Sequence, residues 1–450
     1  MLRKINLRSD LLATVICFAA LALIKLGSSV ILTRILAPEA YGVIATLSSI
    51  VAFIEMFSDL GVLGMMIRHE QGDEQQFVNT MWTIRLIRGV INFSILFFGA
   101  PWIAQIYDTP LLEGVLRTFS FWFILHSLES MSFILASRHK KIYIVNYVEL
   151  FTNLAVVPFV IVYSLHSRDY HGILYGMLLN RLLMTLASYF FFKPQRPALQ
   201  IEKKAARDLF DFSKHIVPSS ILAFFLNQFD RVIFLKLFDL HLFGLYGLAS
   251  NVASPVISLV EKISRLVLYP RCAHDVRADR STAHLKYYRN NIKIFIVVLA
   301  LPALVAGAAN LIVQILFDSR YVYAGVILQA FMVRGILISL ASPAEDLLVA
   351  AGKTHVVLVG NLLRAFWLIP GCLLGYYFFG FAGFLYIGML ETLPALVYLW
   401  YLQYRQGMMI VRYEWLKLAF VGALFVISLA ISESVDLTGF RVFVKSLMQS

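Results

Sequence analysis

Long apolar stretches alternate with short polar loops along nearly the whole chain. Most of these stretches run for about 18–25 residues, the length of an α-helix that crosses a hydrocarbon core of about 30 Å. This pattern predicts transmembrane helices rather than the buried helices of a soluble domain. The predicted spans cover residues 11–33, 41–66, 84–105, 115–137, 142–165, 170–192, 215–238, 241–269, 290–316, 325–350, 355–378 and 380–403.

The C-terminal region allows more than one topology. A thirteenth apolar stretch covers about 415–432, and the final segment, Phe440–Ser450, is too short to cross the membrane as a helix. If 415–432 spans, Arg441 and Lys445 emerge on the outer side, against the usual charge bias. An interfacial tail and a re-entrant final segment both fit, so the prediction is about 12 spans, with 13 or 14 as alternatives.

Composition agrees with a lipid-embedded protein. Hydrophobic residues make up 60% of the chain and charged residues 15%. That charge is too little to cover a soluble protein of this size, so lipid is the predicted solvent for most of the surface. The ten histidines and three cysteines are scattered without ligand spacing, so we predict no metal and no cofactor.

The basic residues indicate how the chain is oriented. One set of alternating loops, together with the N-terminus, carries about 22 Lys and Arg residues, whereas the opposite set carries Arg34, Arg168 and Arg320. The positive-inside rule therefore predicts a cytoplasmic N-terminus. Because the net charge of +12 resides in these short loops, it reports orientation and does not predict nucleic-acid binding.

The two halves of the chain resemble each other. Residues 33–42 and 235–244 both show a cation, an apolar pair, a short polar turn and an aromatic–glycine pair. Six spans separate these copies, so they are parallel repeats related by an axis along the membrane normal. The predicted fold is an all-α polytopic membrane protein with two six-helix bundles, related by a pseudo-two-fold axis around a central cleft. The predicted domains are 1–195 and 215–405, a basic cytoplasmic linker at 196–214, and a C-terminal extension at 406–450.

Several charged residues fall within predicted spans, where each costs at least about 2.5–3.5 kcal/mol at the bilayer centre. Such residues are expected to face protein or water, and each cation is a candidate partner for a buried carboxylate. Arg85 is expected to reach the cytoplasmic surface, and the i,i+4 spacing of Glu261 and Arg265 predicts an ion pair. The deep charges include Lys25, Glu55, Asp59, Arg88, Glu129, Glu149, Asp230, Arg231, Arg334, Arg364 and Glu391.

Four short motifs carry a resemblance to a known family. The sequence is similar to the polysaccharide repeat-unit flippases of the multidrug/oligosaccharidyl-lipid/polysaccharide exporter superfamily, over residues 1–405. The motifs are Ile31–Gly42, Phe57–Gly61, Asn79–Trp82 running into Arg88-Gly89, and Asn227–Arg231.

The resemblance implies a substrate and a location. The substrate would be an undecaprenyl-pyrophosphate-linked oligosaccharide, moved across a bacterial inner membrane by alternating access for lipopolysaccharide or exopolysaccharide synthesis. A proton or sodium gradient is a candidate driving force, and polysaccharide polymerase machinery is a candidate partner. On this hypothesis Lys25, Arg88, Arg231, Arg334 and Arg364 bind the head group, and Glu55, Asp59 and Asp230 couple an ion or pair with those cations.

Three alternatives remain open. A drug/cation antiporter of the same superfamily would prefer an acidic or apolar cavity, and a lipid-linked peptidoglycan-precursor flippase usually has fourteen spans. A polysaccharide polymerase or ligase is the alternative from a different class, but every predicted outer loop has about ten residues or fewer. Residues 351–354 resemble the end of a phosphate-binding loop, yet Leu347 stands where its first glycine is required. The chain is therefore predicted to be a transporter and not an enzyme.

Overall fold

The computed structural model describes residues 7–139, 141–190, 197–279 and 282–434, and these residues are helical with no β-strand. The predicted final segment at 440–450 lies outside the described residues. Contacts divide the chain into two compact units, Met1–Gly244 and Leu245–Ser450. The boundaries predicted from the sequence for the two bundles and their linker remain a prediction.

The first unit contains nine helices among its described residues. Helix α4 packs against α5, α7 packs against α1 and α8, and α9 packs against α2. The helices are α1 Leu7–Ile35, α2 Pro38–Phe57, α3 Val62–Arg68, α4 Gln75–Ile106, α5 Leu111–Leu128, α6 Ser132–Arg138, α7 Ile142–Ser167, α8 His171–Ser188 and α9 Lys203–Leu237.

The second unit is built around α13 and α15, which pack on each other. Helix α18 packs on α13, and α17 packs on α15 and α16. Helix α10 begins in the first unit and continues into the second. The helices are α10 Leu240–Ile263, α11 Tyr269–Ala278, α12 Ala283–Asn290, α13 Ile292–Gly307, α14 Ala309–Leu316, α15 Ala324–Ala350, α16 His355–Met389, α17 Thr392–Arg405 and α18 Val411–Ser434.

Length and apolar composition identify the membrane-crossing helices. Within the described residues seven helical segments are long and apolar enough to cross a membrane, or up to nine if each of two bent pairs forms one span. The bent pairs are α5 with α6, at 55°, and α12 with α13, at 57°. The chain is therefore a multi-pass membrane protein, and the count of about a dozen spans remains a prediction.

The longest apolar segment, His355–Arg405, reverses direction at Gly380. Gly380 adopts φ 59° and ψ −140°, which a residue with a side chain rarely tolerates. The indole nitrogen of Trp367 donates to the carbonyl of Ile387 at 3.0 Å, so the two arms lie side by side. This reversal agrees with the separate spans predicted at 355–378 and 380–403.

The internal repeat is visible in one reciprocal contact. A Cβ at Gly42 would collide with the carbonyl of Leu240, and a Cβ at Gly244 would collide with the carbonyl of Pro38. The same offset of 202 residues that the sequence repeat shows relates Gly42 to Gly244 and Pro38 to Leu240. The two copies of the motif therefore contact each other reciprocally within the first unit.

One predicted ion pair is wrong. No ion pair within 4 Å joins Glu261 to Arg265 among the described residues, in which Ser264–Leu268 form a π-helical turn.

Candidate functional site

The first unit gathers intramembrane charges where two of its spans are interrupted. The chain leaves α2 after Phe57 and resumes as α3 at Val62. Asp59, inside this interruption, accepts a hydrogen bond from the backbone N–H of Gly61 at 2.9 Å. Arg88 of α4 lies 3.8 Å from Asp59 and 3.5 Å from Glu55 of α2. The structure therefore brings together three of the residues predicted from the sequence.

The second interruption, between α5 and α6, carries Glu129. Its Oε2 atom lies 3.3 Å from Arg85 of α4 and 3.2 Å from Arg181 of α8. Arg85 also donates to the carbonyl of His126 at 2.7 Å, and Arg181 lies 5.0 Å from the ring centre of Trp122. Arg85 is 8% exposed. The expectation that it reaches the surface is wrong, because Glu129 and the freed His126 carbonyl bind its guanidinium inside the unit.

Side chains of α8 stabilise this interruption. A broken helix leaves backbone groups without helical partners, and in a membrane other groups of the protein must bind them. Thr185 donates to the carbonyl of Leu125 at 2.8 Å, and Tyr189, just after α8, donates to Leu128 at 2.5 Å. The N–H of Ser130 donates to Ser188 Oγ at 2.8 Å.

His126 joins the two interruptions into one cluster. Its Nδ1 atom lies 3.3 Å from Oε1 of Glu55, and its carbonyl accepts from Arg85. Three arginines therefore meet three carboxylates and one histidine, so the formal charges of the cluster cancel when the histidine is neutral. The cluster borders a cavity of about 10 Å³, close to the least space that one water molecule needs. The lining residues are Glu55, Arg85, Arg88, Gly89, Asn92, Phe123, His126 and Ser127.

The second unit has a smaller charged site at the interruption between α16 and α17. Oε1 of Glu391 lies 2.7 Å from Arg334 of α15 and 2.7 Å from Arg364 of α16. The Glu391 side chain is 1% exposed, whereas Arg334 and Arg364 are 14% and 22% exposed. Glu345 lies within electrostatic range of Arg364. Two predicted head-group residues thus share one buried carboxylate.

The remaining predicted residues lie apart from these sites. Lys25 of α1 is exposed, and no ion pair joins it to another described residue. On α9, Asp230 is buried and Arg231 is partly buried. The roles predicted for these three residues remain predictions.

Two cluster residues were not identified from the sequence. Arg181 lies in the predicted span 170–192, so the criterion of a charge within a span would have included it. His126 carries no such signal, because isolated histidines are common in helices and its contact with Glu55 depends on the fold. Glu129 and Glu391 were recognised as deep charges but were given no role.

The Asn79–Trp82 motif has a structural role near this site. Asn79, Thr80 and Thr83 of α4 accept hydrogen bonds from the backbone N–H groups of Ala198, Glu202 and Gln200, at 3.3, 3.0 and 3.1 Å respectively. These polar side chains fix the extended segment 197–202 that precedes α9.

Sequence comparisons identify relatives over two thirds or more of the chain. A family model described as polysaccharide biosynthesis protein matches residues 31–324. The lipopolysaccharide biosynthesis protein WzxC of Escherichia coli (strain K12) is 22% identical over 363 residues, which cover 79% of this chain and 73% of WzxC. The teichuronic acid biosynthesis protein TuaB of Bacillus subtilis (strain 168) is 19% identical, over 68% of this chain and 63% of TuaB.

Solved structures share the fold. The lipid II flippase MurJ, in an inward closed conformation, has a TM-score of 0.73 and 12% identity, covering 97% of this chain and 96% of MurJ. A multidrug resistance MATE family transporter in its inward-facing conformation has a TM-score of 0.60 and 13% identity, covering 89% of this chain and 94% of that chain. Because the family model matches well over half of its residues, the chain belongs to the polysaccharide biosynthesis protein family, and its fold is that of the multidrug/oligosaccharidyl-lipid/polysaccharide exporter superfamily.

Proposed function

We propose that the protein is a flippase that moves an undecaprenyl-pyrophosphate-linked oligosaccharide across the bacterial inner membrane, with its N-terminus in the cytoplasm. The observation that carries the proposal is the pair of partly buried arginines that share Glu391 at the interruption between α16 and α17. A diphosphate and its sugars cannot enter hydrocarbon unaided, because their charges and hydrogen bonds would go unsatisfied. Arginine binds phosphate oxygens in pairs, so Arg334 and Arg364 are the residues we assign to the head group.

The first unit is better suited to coupling than to binding this anion. Arg88 is already paired with Glu55 and Asp59, and an anion would have to compete with both carboxylates. We propose that these carboxylates, with Asp230 as a further candidate, couple transport to an ion gradient by secondary-type alternating access. Replacing Glu55 by Gln should abolish the response of transport to an imposed proton or sodium gradient while transport down a substrate gradient persists.

A drug/cation antiporter is the second candidate, and the MATE-like fold favours it. Cationic drugs would be repelled by arginines, so the charge of the transported molecule distinguishes the two functions. The deciding assay reconstitutes the protein into liposomes and measures leaflet-resolved movement of a fluorescent undecaprenyl-pyrophosphate oligosaccharide. It compares the parent with Arg364→Ala and Arg231→Ala, and with the exposed Arg320→Ala as control.

The proposal predicts flipping by the parent and by the control, and its loss in correctly folded Arg364→Ala. Flipping that survives in Arg364→Ala would move the diphosphate site elsewhere. A folded parent that moves a cationic dye and not the lipid would establish the antiporter instead.

A further inference from the structure

Glu391 occupies the position that an anionic ligand of Arg334 and Arg364 would take. Both guanidinium groups lie 2.7 Å from the same oxygen atom, Oε1. One carboxylate neutralises one of the two positive charges and offers two oxygens. A diphosphate carries more charge and more oxygens, so it can bind both guanidinium groups at once more completely than Glu391 does.

Arg364 is less firmly bound than the corresponding arginines of the first unit. Arg85 also donates to a backbone carbonyl, and Arg181 also lies over the ring of Trp122. Glu391 provides the one ion pair of Arg364 among the described residues. Among the described residues Arg364 therefore has fewer close contacts to lose when it changes partner, and its interaction with Glu345 is longer-ranged.

Two buried polar atoms beside this pair remain available to a ligand. Nε of Arg364 and Oγ1 of Thr392, the residue after Glu391, make no hydrogen bond with described residues. A guanidinium Nε donates a hydrogen bond and a threonine hydroxyl can donate one, and phosphate oxygens accept them. The spare hydrogen-bonding capacity is therefore of the kind that an oxyanion uses.

We infer that Glu391 is an internal counter-ion that competes with the diphosphate of the substrate for Arg334 and Arg364. This inference rests on the proposed function and adds to it a residue that sets the affinity of the two arginines for the head group. When the diphosphate binds, the arginines leave the carboxylate; when the carboxylate recovers them, the diphosphate is released. Glu391 thereby lowers the affinity for the head group and permits turnover.

Isothermal titration of the purified full-length protein with inorganic pyrophosphate tests this inference. If Glu391 occupies the arginines in about 90–99% of molecules, Glu391→Gln should bind pyrophosphate about 10–100-fold more tightly than the parent. The matched control is Glu129→Gln, which also removes a buried carboxylate shared by two arginines, and it should leave the affinity near that of the parent. Adding Arg364→Ala to Glu391→Gln should cancel the gain.

The result that overturns the inference is a folded Glu391→Gln that binds pyrophosphate no more tightly, or an equal gain in Glu129→Gln. If Glu391→Gln does not fold, Glu391→Asp keeps the charge and is one methylene too short to preserve both contacts. It should also bind more tightly, by a smaller factor, and an unchanged affinity would overturn the inference.

The flipping assay separates this inference from the proposed function. A parent that does not flip the lipid, together with tighter pyrophosphate binding by Glu391→Gln, would reject the lipid substrate and retain the counter-ion. A parent that flips the lipid, together with unchanged pyrophosphate binding in the variant, would retain the flippase and reject the counter-ion. Faster flipping at saturating substrate by Glu391→Gln would also contradict the inference, since tighter binding should slow release.

Discussion

Glu129 in the first unit and Glu391 in the second make the same kind of contact in different surroundings. Each is a buried carboxylate at a helix interruption, and each offers one oxygen to two arginines. Around Glu129, the carboxylates of Glu55 and Asp59 bring the cluster to three for its three arginines. At Glu391 both arginines share one carboxylate oxygen, and Glu345 lies within electrostatic range of Arg364. The same kind of ion pair therefore belongs to a larger, charge-balanced cluster in the first unit and to a smaller site in the second, to which we assign anion binding as a proposal.

The largest expected effect comes from removing Glu391. Glu391→Ala leaves two partly buried guanidinium groups without this buried carboxylate, and removing one partner of a buried ion pair typically costs about 3–5 kcal/mol of stability. Unfolding in detergent, followed by circular dichroism, should show this loss. The matched control, Glu113→Ala, removes the exposed i,i+4 partner of Arg117 and should cost no more than about 0.5 kcal/mol. Equal stability of the two variants would contradict a buried, tightly paired Glu391.

The reciprocal glycine contact within the first unit allows a test of whether the two motif copies pack equivalently. Gly42→Ala and Gly244→Ala each place a methyl group against a backbone carbonyl. Each should lower the free energy of unfolding by about 1–3 kcal/mol, and the two losses should be similar. Gly27→Ala is the control, since nothing lies within 4 Å of its added Cβ. Thermal unfolding of the three variants measures the effect. A large loss at only one of the two positions would contradict equivalent packing of the two motif copies.

A smaller effect is expected at Asp73, where an ion pair lies outside the spans and is more exposed. Burial alone would raise the pKa of Asp73, but hydrogen bonds from Arg138 and His139 lower it below its usual value. A carboxyl with a lowered pKa in the folded state stabilises the fold above its unfolded pKa of about 3.9 and loses that contribution as the pH falls through the folded pKa. Asp73→Asn should therefore lower Tm at pH 7, and the loss in the free energy of unfolding should be less than about 1 kcal/mol.

The pH profile provides the control for this prediction. The difference in Tm between the parent and Asp73→Asn should shrink as the pH falls below about 4. A difference that stays constant down to pH 2, or that grows on acidification, would show that the carboxylate charge is not the cause.

Much of the fold could be predicted from the sequence, because a helix that crosses the hydrocarbon core needs an apolar stretch of about 20 residues. The reversal at Gly380 was anticipated by the division of 355–403 into two spans. The interruptions at 58–61, at 129–131 and before Thr392 were not, because each is only a few residues long and lies within an apolar stretch that is long enough to be one span. Their freed backbone groups are bound by side chains distant in sequence, such as Tyr189, and such contacts become visible only in three dimensions.

The candidate site was only partly predictable for a related reason. Position within a span identifies a buried charge, and this criterion found Arg88, Arg334 and Arg364. It does not identify the partner, so Arg85 was expected at the surface although Glu129, 44 residues away, binds it. The same criterion included Lys25, whose side chain is exposed.

The most direct test of the account asks which unit recognises the diphosphate. Titration of purified protein with inorganic pyrophosphate should compare the parent with Arg364→Ala and Arg88→Ala. The account predicts a loss of affinity of about tenfold or more for Arg364→Ala, since a charge-assisted hydrogen bond contributes about 1.5–3 kcal/mol, and little change for Arg88→Ala. An equal or larger loss for Arg88→Ala would place anion recognition in the first unit and contradict the central claim.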